Sequence, residues 1–364
     1  MFPPHPALGE LIERVHQAHR QGTPLEIRGG GTKAFYGGAP RGTPLQIAGL
    51  AGISSYEPTE LVVTARAGTP LAELETALAE QGQCLPFEPP RFAAGGTVGG
   101  MVAAGLSGPA RANIGSVRDH VLGVTLLNGR GELLTFGGQV AKNVAGYDVS
   151  RLMAGSLGIL GVICEVSLKV LPNSPACTTV FFDCDEQQAL DRLNGWKSQP
   201  LPVSATSWHD SRLYIRLSGA RSAVAAACDG LGGTEVDSDR DLSWWSGLRD
   251  HTHEFFALSD ADLRGGERLW RLSVPASSSP LGLPGRQLIE WNGAQRWWRT
   301  PAPAQLMRDA AARVGGHATL LRGVDRSSGV FAPVSAVLMR IHRGLKQAFD
   351  PSGIFNPGRL YPEL

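Results

Sequence analysis

The sequence predicts an α+β fold, and three observations divide it into more than one domain. The chain has 364 residues, too many for one small hydrophobic core. Helical and strand periodicities alternate through its first half. Glycine clusters thin out beyond residue 172, and six of the eight tryptophans lie between Trp244 and Trp298. We therefore predict a first domain over residues 1–172, a second over 173–332 and a C-terminal segment over 333–364.

The first domain begins with a helix, because Leu8, Leu11, Ile12 and Val15 recur at helical spacing before Gly22 stops it. Further patterns predict, in order, a strand at 25–28, a strand at 61–66, a helix at 71–81, a hairpin of strands at 121–127 and 132–136 around Asn-Gly-Arg-Gly, a short helix at 147–154 and a strand at 162–171.

A last helix is predicted in the C-terminal segment, where six apolar residues share one helical face. The helix ends at Asp350-Pro351, and the face consists of Val334, Val337, Leu338, Ile341, Leu345 and Phe349. A terminal turn and short strand follow it.

Composition excludes several classes of function. The formal net charge is +1, without a basic run interleaved with aromatic residues, so we expect no nucleic-acid partner. The five cysteines have no CxxC spacing and indicate neither a disulfide framework nor a zinc or iron–sulfur site. No signal peptide or apolar run of about 20 residues is evident. We expect a cytoplasmic protein that reaches the inner face of a membrane only through partners.

Three glycine-rich segments suggest a ligand that needs bare backbone. They are RGGGTK (28–33), GGTVGG (95–100) and GSLGILG (155–161). Neither GxGxxG nor GxxxxGK[ST] occurs, so no Rossmann turn or P-loop is encoded. Each segment alone is more simply an ordinary turn. Together they favour a pyrophosphate held by backbone N–H groups, with Arg28, Lys33 and Arg118 balancing its charge.

The order of these segments resembles the FAD-linked oxidases of the vanillyl-alcohol oxidase type. The matching segments are RGGGT, TVGGMVA, RDHVLG, GYDVSRLMAGSLGILGVICEVSLKVLP and the terminal FDPSGIFNPGRLY. Two further segments, LWRLSVP and IEWNGAQRWWR, are similar to the FAD-binding E subunits of bacterial glycolate oxidases. The resemblance implies an FAD domain of two subdomains, an antiparallel-sheet cap, and a C-terminal segment that returns to the FAD domain.

The resemblance also implies the cofactor site. The pyrophosphate would contact the first loop, the flavin and ribityl chain the second, and the flavin or adenine the third, while Arg118 and Asp119 would anchor the second subdomain. Thr32-Lys33 stands where many members carry a histidine that binds FAD covalently, so we expect non-covalent FAD. The implied cofactor residues are Arg28, Gly29, Gly30, Gly31, Thr32, Lys33, Gly96, Thr97, Gly99, Gly100, Arg118, Asp119, Gly161, Val162, Ile163 and, near the isoalloxazine, Asn356.

By the same resemblance, the chain would be one FAD subunit of a complex that oxidises a 2-hydroxy acid, glycolate, beside a second FAD subunit and an iron–sulfur subunit. Two alternatives stay open. The chain could be a self-sufficient FAD-dependent 2-hydroxy-acid dehydrogenase, or a scaffold subunit with a redox-silent flavin. The HxGDGNxH segment of the family's metal-using dehydrogenases is absent, which favours the first interpretation.

Candidate catalytic residues are few. His317 is a possible base, and Arg296 and Arg322 are possible carboxylate binders, although packed or surface roles are at least as common for such residues. His251 and His253 could bind a metal with Glu254, but a solvated loop is the simpler interpretation. The sequence therefore predicts no metal site.

Overall fold

A computed structural model describes residues 5–138 and 148–364 of the chain. Gly146 and Tyr147, which begin the predicted GYDV segment and its short helix, lie outside the described residues. The helices are α1 (Pro6–Gln21), α2 (Leu71–Glu80), α3 (Val98–Ala104), α4 (Arg111–Ile114), α5 (Val117–His120), α6 (Val149–Leu152), α7 (Glu186–Trp196), α8 (Arg221–Leu231), α9 (Ser238–Asp250), α10 (Asp260–Arg264), α11 (Ala304–Arg313) and α12 (Ala336–Phe349).

The strands form two large sheets and two small ones. They are β1 (Leu25–Arg28), β2 (Thr43–Gln46), β3 (Ile53–Glu57), β4 (Val62–Arg66), β5 (Gln83–Cys84), β6 (Val121–Leu127), β7 (Leu133–Gly137), β8 (Val162–Lys169), β9 (Leu171–Pro172), β10 (Ala176–Asp183), β11 (Val203–His209), β12 (Arg212–Gly219), β13 (Thr234–Glu235), β14 (Arg268–Ser273), β15 (Arg286–Glu290), β16 (Gln295–Thr300) and β17 (His317–Arg322).

Four of the predicted strands of the first domain, with β3, which was not predicted, form a five-stranded antiparallel sheet in the order β3-β4-β8-β6-β7. The fifth predicted strand, β1, lies in a separate two-stranded sheet. Every residue of β6 is buried, as is nearly all of β8, because helices and neighbouring strands cover both faces of the sheet. The predicted hairpin is present as β6 and β7, whose turn is closed by the Asn128 side chain accepting from the backbone of Arg130 and Glu132. The second and third glycine-rich segments adjoin this sheet, because α3 contacts β4 and β8 and residues 155–161 lead directly into β8.

The C-terminal segment contacts the first strand of the chain. Strand β1 pairs in parallel with β2, and Leu25 forms a further parallel bridge with Phe355. The backbone N–H of Leu25 donates to Ile354, and that of Asn356 donates to Leu25. These bonds place the terminal Asn-Pro-Gly turn beside β1, the strand that leads into the triple glycine.

Residues 176–322 build an eight-stranded antiparallel sheet in the order β13-β10-β12-β11-β15-β16-β14-β17. One face packs against α11 through a cluster that includes Trp270 and Trp298. The opposite face meets the first domain, where Trp297 belongs to the same hydrophobic cluster as Tyr36 and Leu106. The tryptophan band is therefore core on both faces of this sheet.

Helix α12 is anchored by its C-terminal half. Lys346 is buried and donates to Ile159 O and Phe355 O at 2.8 Å and to the carboxylate of Asp350 at 2.7 Å. Leu345 and Phe349 pack against the first domain, whereas Val337, Leu338 and Ile341 of the predicted apolar face are exposed and Val334 is half-buried. The exposed fractions are 57% for Val337, 49% for Leu338 and 52% for Ile341.

Among the helices built from described residues, none combines the length and apolar character that crossing a bilayer requires.

Candidate cofactor site

The ends of β1, α3 and β8 and the terminal Asn-Pro-Gly turn surround one deep cleft. Most of the predicted cofactor residues line it, and their contact with a cofactor stays a prediction. They are Arg28, Gly29, Gly30, Gly31, Thr32, Lys33, Thr97, Gly99, Gly100, Gly161, Ile163 and Asn356.

The loop that contains Gly95 and Thr97 packs so closely against the triple glycine that it leaves no room for a side chain on Gly29 or Gly30. A Cβ on Gly30 would lie 1.5 Å from the carbonyl oxygen of Gly95, and one on Gly29 would lie 2.3 Å from Thr97 Oγ1. Gly31 has φ +71°, a conformation that favours glycine. We correct the expectation that phosphate alone demands bare backbone here, because the two loops interlock before any ligand is considered.

Several backbone N–H groups of the first glycine-rich loop lie along the cleft without an acceptor in the protein. Within the described part of the chain, the N–H groups of residues 30–33 donate to no protein acceptor. Thr97 caps α3 by accepting from Gly100 N at 3.2 Å. Unpaired backbone N–H groups in a concave, glycine-lined site suit phosphate oxygens, so the residues present fit the pyrophosphate of a dinucleotide.

Asn356 connects three segments of the cleft. Its Oδ1 accepts from Ile27 N at 2.8 Å, and its Nδ2 donates to Leu157 O at 2.6 Å. A Cβ on Gly158 would lie 2.7 Å from that same Nδ2. The side chain amide is therefore used within the protein, and Asn356 positions the wall of the cleft.

The charged side chains at the cleft differ in whether other groups of the protein already bind them. Arg28 is paired with Glu26 at 2.7 Å. The side chain of Arg359, which sequence analysis missed although it lies in the FNPGRLY segment, donates to the carbonyls of Ala34, Gly38 and Tyr36. Its role is to hold the loop that follows the triple glycine, which no local pattern indicates.

Lys33 is the cation of the cleft with an unusual proton affinity. Burial lowers the pKa of its ammonium group to about 8, against the opposing attraction of the Asp250 carboxylate. Its Nζ lies 5.7 Å from the centroid of the Phe92 ring, across the cleft edge. A ligand phosphate beside Nζ would restore the charged form.

Four predicted cofactor residues do not line this cleft. Val162 is buried in the sheet. Gly96 adjoins the cleft, because a Cβ on it would lie 3.6 Å from Thr32 Oγ1, and its carbonyl accepts from Leu71 N at 2.8 Å. Asp119 closes the capping box of α5 with Ser116, beside the exposed Arg118. We correct the expectation that Arg118 balances the pyrophosphate charge, because it does not line the cleft.

The three candidate catalytic residues are not brought together. Arg296 is buried, donates to the carbonyls of Gly293, Ser279 and Ser278, and lies 3.5 Å from Glu186. Because these protein groups occupy its guanidinium, we correct the expectation that it binds a substrate carboxylate.

His317 and Arg322 lie at opposite ends of β17. Because a strand rises about 3.3 Å per residue, their Cα atoms are about 16 Å apart. The Arg322 guanidinium carbon lies 4.3 Å from the Phe35 ring centroid, and neither residue lines the cleft. Since a base and a carboxylate binder must reach one small substrate, these two residues do not form a common site.

The two histidines of Arg-Asp-His-Thr-His point in different directions. His251 stacks on Phe256 with ring centroids 4.0 Å apart, and burial, with nearby arginines, lowers its pKa to about 3. His253 turns towards Trp244 and His209. We correct the metal interpretation of this segment, because His251 packs as a neutral ring against Phe256 and Trp297, and the group that could hold a metal is His209, Asp210 and Glu254.

Comparisons with known proteins agree with this geometry. The family described as "FAD binding domain" matches residues 8–137. The solved structure of an alkyldihydroxyacetonephosphate synthase superposes with a TM-score of 0.65 at 16% identity, covering 96% of this chain and 74% of that one. That likeness shows the fold alone. Fold, cleft and family match together define an FAD-binding flavoprotein, and the predicted fold class is confirmed.

Two glycolate oxidase subunits of similar sequence identify the family of flavoproteins to which the chain belongs. The chain is 47% identical to the glycolate oxidase subunit GlcE of Escherichia coli K12 over 97% of both chains. It is also 30% identical to the glycolate oxidase subunit GlcD of Bacillus subtilis 168, over 44% of this chain and 34% of that one. The chain belongs to the family of the GlcE subunit. FAD, when bound, supplies reversible uptake of electrons at its isoalloxazine ring.

Proposed function

We propose that the chain is an FAD-binding subunit of a complex that oxidises glycolate, a 2-hydroxy acid, to glyoxylate, and that it carries electrons from this oxidation towards an iron–sulfur partner subunit. The observation that carries the proposal is the similarity to GlcE across 97% of the chain. A second FAD-containing subunit would complete the complex, and FAD would be held in the cleft without a covalent bond.

The side chains of the cleft support oxidation of the substrate elsewhere. Removing hydrogen from a 2-hydroxy acid needs a base near its hydroxyl and a cation for its carboxylate. Arg28 and Arg359 are occupied by Glu26 and by backbone carbonyls. Of the described ionisable groups that line the cleft, Lys33 alone has no hydrogen-bonded partner.

A self-sufficient 2-hydroxy-acid dehydrogenase is the second candidate, and Lys33 is the observation that favours it. A lysine with a pKa of about 8 is partly neutral near physiological pH and has the proton affinity of a general base. We favour the electron-carrying role because a single basic group would then have to bind the substrate carboxylate and accept its proton.

The complete complex tests the proposal when it is assembled with a chain that cannot hold FAD. Gly30→Ala removes the loop contact described above, and Gly9→Ala is the matched control, because a Cβ on Gly9 meets nothing within 4 Å. Co-purification would verify assembly of both complexes. Glycolate-dependent reduction of an external acceptor should be lost with G30A and kept with G9A. If turnover of the complex were unchanged with an FAD-free G30A chain, only the interpretation of the chain as a redox-silent scaffold subunit would remain.

Acid precipitation tests the non-covalent attachment separately. We expect the yellow colour to stay in the supernatant, because Thr32 and Lys33 offer no histidine at this point of the loop. Colour that stays in the denatured pellet would contradict it.

A further inference from the structure

A histidine and two carboxylates that the FAD site does not use lie together at the turn between β11 and β12, two interior strands of the eight-stranded sheet. His209 ends β11, Asp210 follows it in the turn to β12, and Glu254 lies in the segment after α9. One ligand atom from each of the three lies within 4.8 Å of the others, and no other described group of three such residues meets this distance. None of them lines the FAD cleft.

His209 presents one unpartnered nitrogen to this group. Its side chain is 4% exposed, and its Nδ1 lies 2.9 Å from the carbonyl oxygen of Gln287. Because a carbonyl only accepts, Nδ1 carries the hydrogen, and in the neutral ring Nε2 is a lone pair. Nε2 has no hydrogen-bond partner and lies 3.3 Å from Asp210 Oδ2. With a neutral ring, two acceptors so placed repel each other unless a proton or a metal cation lies between them.

The separation of these two atoms matches a metal site. Two ligand atoms about 2.0–2.2 Å from a tetrahedral Zn²⁺ lie about 3.3–3.5 Å apart. The histidine and its neighbour are held there by the chain, since Asp210 and Ser211 have φ of +47° and +59°, as in a tight two-residue hairpin turn. Glu254 is exposed, and one of its carboxylate oxygens lies within 4.8 Å of the ligand atoms of His209 and Asp210.

Neighbouring groups leave the site open to an ion. Arg286 lies 4.0 Å from Glu254, too far for a strong ion pair at an exposed position. His253 is near, with its ring centroid 5.6 Å from that of His209, but its Nδ1 already accepts from Phe255 N. The available ligands are therefore one imidazole nitrogen and two carboxylates, with room for water.

We propose that His209, Asp210 and Glu254 bind one divalent first-row transition ion of the Zn²⁺ type. Imidazole with carboxylate is a donor set that Zn²⁺ accepts in four-coordinate sites, and the Nδ1–H bond to a backbone carbonyl is the usual support of a metal-binding histidine. The ion ties the β11–β12 hairpin to the segment after α9. This revises the expectation of a chain without a metal site, and it is independent of the proposed function.

Calorimetric titration of the full chain with Zn²⁺, after treatment with a chelator and with FAD bound, tests the site. We expect one ion per chain and an affinity at least about tenfold weaker in Asp210→Asn and in Glu254→Gln. Both residues are exposed, so these variants should fold. Asp229→Asn, an exposed change in α8, is the matched control and should bind like the unmodified chain.

A second readout identifies the ligands. Co²⁺ in place of Zn²⁺ should give the visible absorption of a low-coordinate site in the unmodified chain and in D229N, and lose it in E254Q. Absence of Zn²⁺ binding, or binding that D210N and E254Q leave unchanged, would overturn the proposal.

Discussion

Gly30 has a hydrogen atom where any other residue would place a Cβ against the loop that contains Gly95. The contact is with Gly95 O, far away in sequence, so the clash is visible only in the folded chain. The same holds for Arg359, whose guanidinium orders residues 34–38 from the other end of the chain. At this scale the geometry of single residues determines whether the cleft exists.

Gly30→Ala should abolish FAD binding, because the loops must separate to admit a Cβ that otherwise lies 1.5 Å from a carbonyl oxygen. The measurement is the ratio of flavin to protein after purification. Gly9→Ala should keep the ratio of the unmodified chain. A G30A protein that purifies with a full complement of FAD would show that the two loops do not interlock.

Lys33 should make FAD affinity depend on pH. Its pKa is about 8 in the free protein, and a bound phosphate raises it, so binding takes up a proton only where Lys33 is neutral. The dissociation constant should be flat below about pH 8 and rise above it, approaching tenfold per pH unit. Fluorescence titration across pH 7 to 10 measures this.

Lys33→Arg is the control for that dependence, because arginine stays charged throughout this range. Its affinity should be independent of pH. An unmodified chain whose affinity does not change above pH 8, or a K33R chain that keeps the full dependence, would contradict a role for the Lys33 charge at the phosphate.

At the scale of elements, patterns that are local in sequence predicted well. The hairpin of β6 and β7 follows from its Asn-Gly turn, and the strand β8 follows from its alternating pattern of apolar and polar residues. The apolar stripe of α12 predicted the helix but not its partner, because amphipathicity shows which face is apolar and not what covers it. Its attachment depends on the ion pair of Lys346 and Asp350, both buried.

Lys346→Met should destabilise the chain by about 3–5 kcal/mol, because it leaves the Asp350 carboxylate buried without its cation. Chemical denaturation measures the loss. The double variant K346M/D350N should recover part of it, since no uncompensated charge remains. FAD affinity should fall as well, since Lys346 and Asp350 hold the backbone of Phe355, next to Asn356. A double variant as unstable as K346M would contradict this account.

At the scale of the molecule, sequence patterns predicted an FAD protein because three glycine segments and the terminal turn are all recognisable motifs. They did not predict where the functional side chains of the second domain lie. Arg296 is a buried structural residue there, and His209 at the end of β11 lies near Glu254 in the segment after α9. Single residues without a motif acquire their neighbours only through the tertiary fold. The domain boundaries and the individual FAD contacts stay predictions.

The central claim is that this chain holds FAD and carries electrons without oxidising the hydroxy acid itself. The most direct measurement is anaerobic mixing of the purified FAD-loaded chain with glycolate while the visible absorbance of the flavin is followed, with dithionite as the positive control. We predict bleaching by dithionite and none by glycolate on the time scale of turnover in the complete complex. Bleaching by glycolate as fast as that turnover would contradict the account and establish a self-sufficient dehydrogenase.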